Sequence, residues 1–155
     1  MLSRVAESIY WLNRYIERAE NIARTIDVNL HLGLDMPGEG AQWAPIVDTT
    51  GDRPIYEENF GDDYTREQVI QFLTFDPDNP NSIMGCVHRA RENARAIRDT
   101  ISSEMWEQVN RFYLMVRHAA YGEFDVMTSP CAMTTRSIGR ARMRSTLARA
   151  SFRFR

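Results

Sequence analysis

A chain of 155 residues with 43% hydrophobic and 26% charged content has room for one domain with its own buried core, which excludes a disordered chain. The net charge of -2 conceals a split: all 21 acidic residues fall at or before Asp125, while seven of the 19 basic residues follow it, giving a body near -9 and a tail of +7. No run approaches the roughly 18 uninterrupted apolar residues of a membrane span, and the charges within the first apolar pattern are unlike a signal peptide, so no membrane role and a cytoplasmic setting are expected.

Leu2, Val5, Ile9, Leu12, Ile16, Ala19, Ala23, Ile26 and Leu30 recur at steps of three and four, which predicts a helix from about Ser3 to Leu32 with Gly33 as its stop. Glu7, Tyr10, Arg14, Glu17, Asn21 and Arg24 keep the same rhythm on nearly the opposite side. One helix thus carries a core face and a chemically loaded face, and at roughly 45 Å it needs a partner to be stable. Residues 33 to 64 hold five of the eight glycines, three prolines and eight acids against Arg53 alone, and read as a solvated acidic loop with a short helix near Trp43 to Thr50.

Thr65 and Gln68 fit a capping box that opens a short helix bearing Val69, Ile70, Phe72 and Leu73 and closed by Asp76-Pro77. After the turn from Asp78 to Ser82, a second long series follows: Ile83, Val87, Ala90, Ala94, Ile97, Ile101, Met105, Val109, Phe112 and Val116. The seam shifts at Ile101 to Met105, which predicts a kink or a break at Ser102-Ser103. No strand-like alternation occurs, so the fold class is all-α: a helical bundle of two long helices, the second kinked or broken, plus short helices. The division expected is a helical domain over 1–122 and a basic tail over 123–155, disordered or a non-native extension. In that tail Arg136, Arg140 and Arg144 stack at steps of four with no acid to offset them.

The candidate chemistry is carried by arginine, since no lysine is present. Arg14, Glu17, Arg18, Glu20 and Arg24 crowd the first helix, and His88, Arg91, Arg95 and Arg98 form a stripe on the second, with Glu92 beside it. Four cations on one stripe repel one another unless acids face them; Glu7, Glu17 and Glu20 could do so if the long helices pair, and Glu92 and Asp99 are local candidates. Two readings stand: a polar layer in which arginine forks cross-link helices through glutamates, or an anion site in which guanidinium groups converge on a carboxylate or phosphate. Tyr10, Trp11 and Tyr15 would either wall such a pocket or pack against the short helices and loop. His88 and Glu92 are spaced like two metal ligands but lack a third and fourth, so neither a metal nor another cofactor is expected. Cys86 and Cys131 are far apart and read as free thiols. No nucleophile-base motif and no Gly-rich phosphate loop marks an enzyme.

The run Tyr10-Trp11-Leu12-Asn13-Arg14-Tyr15-Ile16-Glu17-Arg18-Ala19-Glu20-Asn21-Ile22-Ala23-Arg24 resembles the bacterial alpha-E family, a helical domain named for its Glu-Arg motif. The likeness resumes at Phe75-Asp76-Pro77-Asp78-Asn79-Pro80-Asn81-Ser82-Ile83, at Ala90 to Arg95 with Arg98, and at Ser103-Glu104-Met105-Trp106, and so spans residues 1 to about 120. The resemblance implies that Glu17-Arg18 is the named motif and that Arg14, Glu20, Arg24, Arg91, Glu92 and Arg95 are its companions, with no catalytic role assigned to any. Relative to the usual family length the chain corresponds to a truncated, N-terminal half. The family occurs beside or fused to ATP-grasp-like and transglutaminase-like proteins. The resemblance therefore implies a non-catalytic binding or scaffold component of a peptide- or amide-bond-forming system. Two further readings stay open: an enzyme component whose Arg/Glu face binds an acidic small molecule, and a binder of nucleic acid or an acidic partner through the basic tail.

Overall fold

The computed structural model describes residues 2–35 and 43–120, all of it helices and connecting turns. Helix α1 spans Leu2–Asp35 and runs through Gly33, the expected stop. A helical glycine costs about 1 kcal/mol relative to alanine, which weakens a helix without ending it. Helix α2 (Ala44–Thr50) has a proline in its first turn and ends on Gly51, whose φ of 77° is left-handed. Helix α3 (Arg53–Phe60) was hidden by its acids and by Pro54, yet a proline in the first turn loses no needed N–H donor and pre-sets the helical φ. So the segment expected to be mostly loop holds two helices, and both put side chains in the core.

Helix α4 (Arg66–Thr74) begins as expected at Thr65, whose Oγ1 accepts the Gln68 amide at 3.4 Å. The Gln68 side chain returns to the cap's hydroxyl, accepting from Thr65 Oγ1 at 2.7 Å, where a capping box would have it take the backbone N–H. Helix α5 covers Ile83–Ala96 and is capped by Ser82, whose Oγ accepts the Gly85 amide at 3.1 Å. Helix α6 covers Ser103–Ala120, with Ser102 Oγ accepting the Met105 amide at 3.2 Å. Ser102 starts a new helix there, and the second long element is broken between Ile97 and Ser102.

That break reverses the chain. Arg91 of α5 reaches Asn110 of α6, and Arg98, just beyond α5, lies over Trp106. Later residues of one element thus meet earlier residues of the other, and α5 and α6 form an antiparallel hairpin. Helix α1 packs on α5, also antiparallel: Leu12 shares a buried cluster with Ala94, while Arg18 bonds to Asn81 before the start of α5.

The α1 seam buries Leu12, Ile16, Ala19, Ala23 and Ile26 against Ile83, Val87, Ala90 and Ala94. Alanines on both helices permit close approach of the backbones, and each fully buried Leu, Ile or Val adds about 1.5–3 kcal/mol of transfer free energy. Val5, Ile9 and Leu30, at the two ends of the seam, are only half-buried. Trp43, Ile46, Val47, Tyr56, Val69, Phe72 and Leu73 from α2, α3, α4 and the residue before α2 complete the main core around Ile22 and Ile26. Tyr56 stacks on Tyr64 at 4.8 Å and meets Phe72 edge-on at 5.1 Å, filling the space beneath α3. No helix among the described residues is long and apolar enough to cross a membrane. The basic tail over 123–155, with its expected disorder and Cys131, lies outside the described residues.

Candidate functional site

The loaded face of α1 resolves into two exposed pairs. Arg14 Nη1 donates to Glu17 Oε2 at 3.0 Å, and Arg24 Nη2 donates to Glu20 Oε1 at 2.6 Å. Each follows a one-turn spacing along the helix, and exposed pairs of this kind contribute at most about 1 kcal/mol. Tyr10, Trp11 and Tyr15 form a run of ring contacts at 5.3 and 5.8 Å. Tyr10 and Trp11 remain exposed, at 57% and 40%, and are not packed under the short helices; Tyr15 alone leans on the core.

Arg18 leaves this face. Its Nη1 donates to Asn81 Oδ1 at 2.6 Å, and Asn81 Nδ2 donates in turn to Asp52 Oδ1 at 2.6 Å. A cation on α1 and a carboxylate at the start of α3 are therefore linked through one amide. Asn81 is held for this task by its turn: its backbone N–H donates to Asn79 Oδ1 at 2.8 Å, and the Asp78 N–H donates to Asp76 Oδ1 at 2.8 Å. Asn79 is fully buried and donates to the Phe72 carbonyl at 3.3 Å. Asp52 is buried too, and its Oδ2 has no hydrogen-bond partner among the described residues. Next to this relay Cys86 donates its thiol to the Asn81 carbonyl at 3.4 Å. Cys86 is a free, buried thiol, and burial pushes it up to about 11, overcoming the opposite pull of Arg18 and Arg89.

His88, Arg91 and Arg98 of the stripe meet side chains of α6, and the acid that offsets Arg91 and Arg95 is the local Glu92, with no glutamate of α1 in contact with them among the described residues. Arg91 Nε donates to Asn110 Oδ1 at 2.8 Å, and its guanidinium sits between two rings, 4.9 Å from Tyr113 and 5.8 Å from Trp106. Arg98 lies 5.2 Å from Trp106, Arg117 of α6 lies 5.7 Å from Tyr113, and the His88 ring lies 5.8 Å from the Tyr113 ring. Glu92 serves Arg91 at 3.2 Å and Arg95 at 3.6 Å. The ion pairs of Arg14, Arg91 and Arg95 each stay within one helix, and Arg18 and Arg91 reach beyond their own helices to asparagines and aromatic rings. A single layer of glutamate-bridged arginines is not formed.

The nine candidate residues are thus divided: Arg14, Glu17, Glu20 and Arg24 on one exposed face, Arg18 in the relay, and Arg91, Glu92, Arg95 and Arg98 along α5 and its end. Sequence reading missed the partners Asp52, Asn110 and Tyr113, and Arg89, which lies 5.8 Å from the Tyr15 ring. The spacing of Trp106, Asn110 and Tyr113 at steps of four and three is the signal that puts all three on one side of α6. The acidic segment is also more organised than a solvated loop. Arg53 holds Glu57 at 2.6 Å and Asp48 at 3.2 Å, and Tyr64 donates to Glu57 at 3.0 Å. The bond from Arg53 keeps the Glu57 carboxyl below its usual range. No group of three or more His, Cys, Asp or Glu side chains converges as a metal site among the described residues.

Residues 1–151 match the Alpha-E family, described as a predicted alpha-helical domain with a conserved ER motif. The match extends past the limit near residue 120 set by the quoted motifs. Uncharacterized proteins of Mycobacterium bovis and Mycobacterium tuberculosis are similar, each 29% identical over 129 residues, covering 74% of this chain. The chain spans only 15% of the length of these relatives. No solved structure is significantly similar to the chain. Glu17-Arg18 is the one Glu-Arg dipeptide in the sequence, lying on the exposed side of α1 with its arginine turned to Asn81, and with the family match over nearly the whole chain it identifies the protein as a member of the Alpha-E family.

Proposed function

We propose that this chain is a non-catalytic binding or scaffold component of a cytoplasmic amide- or peptide-bond-forming system, with an ATP-grasp-like or transglutaminase-like protein as its partner. The observation that carries this reading is the division of the arginines. Arg14, Arg91 and Arg95 are occupied by glutamates of their own helices and Arg18 by Asn81, so these four donors are spread over separate partners and do not converge on one reacting group. The test is calorimetric titration of the chain with the ATP-grasp-like or transglutaminase-like protein encoded nearest to it, followed by an amide-formation assay of each alone and of both together. Binding, with activity confined to the partner or the pair, is the expected result; amide formation by this chain alone would overturn the reading.

A second reading, an enzyme component that binds an acidic small molecule, draws on Arg18. Its hydrogen-bond partner is a neutral amide oxygen, so among the described residues its charge is not cancelled by direct contact with a carboxylate. Heat of binding on titration with glutamate, lost in Arg18→Gln, would favour it.

A further inference from the structure

The α5–α6 hairpin carries a ladder in which guanidinium groups and aromatic rings alternate: Arg98, Trp106, Arg91, Tyr113, Arg117. Its middle rung is structural. Arg91 is held by Asn110 and Glu92 and is three-quarters covered, so it joins the two helices. The two ends differ. Arg98, which is exposed, and Arg117, which is half-buried, rest against rings and have no hydrogen-bond or ion-pair partner among the described residues, so no described side chain takes up their N–H groups. A guanidinium held over a ring has lost part of its rotamer freedom before any ligand arrives, and its planar fork matches a carboxylate bidentately. Pre-organisation of this kind lowers the ordering cost of binding.

The geometry points to a docking site for an acidic polypeptide segment, whose carboxylates engage Arg98 and Arg117 while its apolar atoms cover Trp106 and Tyr113. Trp106 and Tyr113 are two helical turns apart, about 10.5 Å, and Trp106 to Arg117 is about 16 Å along α6. In an extended peptide, carboxylates four residues apart are separated by about 13 Å, which falls within that span. Charge argues for a peptide over a nucleic acid. Asp99 follows Arg98 directly, Glu92 follows Arg91, and Glu104 and Glu107 flank Trp106, so the cations are discrete points among acids. A duplex, with a phosphate about every 1.7 Å of axis, would meet those acids as well. This inference rests on the binding-component reading above and adds to it the chemistry and place of the contact.

The test uses the full chain and fluorescein-labelled decapeptides carrying two glutamates, either four residues apart or adjacent, read by anisotropy at low salt. Preference for the spaced peptide is expected, with affinity reduced about fivefold in Arg98→Gln and in Arg117→Gln and further in the double variant. Arg98→Lys and Arg117→Lys keep the charge but not the fork and should fall between. The basic residues after Asp125 are common to all variants, so the differences report the ladder alone. Equal binding of the two peptides, or unchanged affinity in the double variant with its helicity intact, would overturn the inference. So would a DNA duplex or self-association that responds to the same substitutions more strongly than the peptide does. If the ATP-grasp-like or transglutaminase-like protein binds but ignores the double variant, this inference fails and the proposed function stands. If the spaced peptide binds through both arginines while neither protein does, the proposed function fails alone.

Discussion

Asn81 has a buried acid on one side and a cation on the other, and its amide donates to the first while accepting from the second. Asn81→Ala leaves the Asp52 carboxylate buried with neither oxygen bonded by this amide, and a loss of about 2–3 kcal/mol is expected in urea unfolding. Asn81→Asp keeps the acceptor for Arg18 but replaces the donor to Asp52 with a second carboxylate, and it too should lower the urea midpoint near neutral pH. Tyr56 offers a test in the alkaline range. Its hydroxyl donates to the Asp63 carbonyl at 2.7 Å, and burial pushes it from 10.0 up to about 12. The folded state holds this proton where the unfolded chain has lost it, so the stabilisation is complete below pH 10 and disappears as pH rises towards 12. Tyr56→Phe should therefore cost about 1 kcal/mol at neutral pH yet show a shallower decline of the melting temperature above pH 10.

At the level of the element, two glycines close helices by different geometries. Gly51 after α2 is left-handed at φ 77°, ψ 11°, whereas Gly61 after α3 has φ 71° with ψ -156°, a region open to glycine alone. Alanine at Gly51 should cost about 1 kcal/mol and alanine at Gly61 about 2–3, measured by thermal unfolding, although neither Cβ would meet another atom. Periodicity in the sequence named the buried positions of α1 and α5 because a one-sided stripe is a direct imprint of burial. It did not tell a kink from a reversal at Ser102, since a stripe records which face is covered and not the direction in which the chain returns. Helix α3 escaped notice because its register rests on Tyr56 alone as a fully buried residue, too few positions to show a period.

For the molecule as a whole, the frame is α1 laid on α5, and its two ends sit in different clusters. Leu12 belongs with Ala94 and Val109, and Ile26 with the main core around α2, α3 and α4. Either residue changed to alanine should cost about 2–5 kcal/mol, but Leu12→Ala should speed hydrogen exchange of α6 selectively, and Ile26→Ala that of the short helices. The candidate residues were legible as residue types because arginine and glutamate repeat on helical faces. Their partners were not, because Asn81, Asn110 and Asp52 come from a turn and from elements whose placement depends on tertiary packing.

The antiparallel pairing of α1 with α5 also fixes an order of events during synthesis. Leu12 meets Ala94 and Arg18 meets Asn81, so the stripe that stabilises the longest helix has no partner until some 60 to 80 further residues have been made. At about 5–20 residues per second that interval lasts several seconds, during which Leu12, the residue that packs with Ala94 and Val109, faces water or a chaperone. The α5–α6 hairpin, whose contacts lie within about 25 residues of one another, closes on a far shorter timescale once made. The nascent α1 is therefore the stretch through which a holdase would recognise this chain, and the emergence of α5 is the event that releases it.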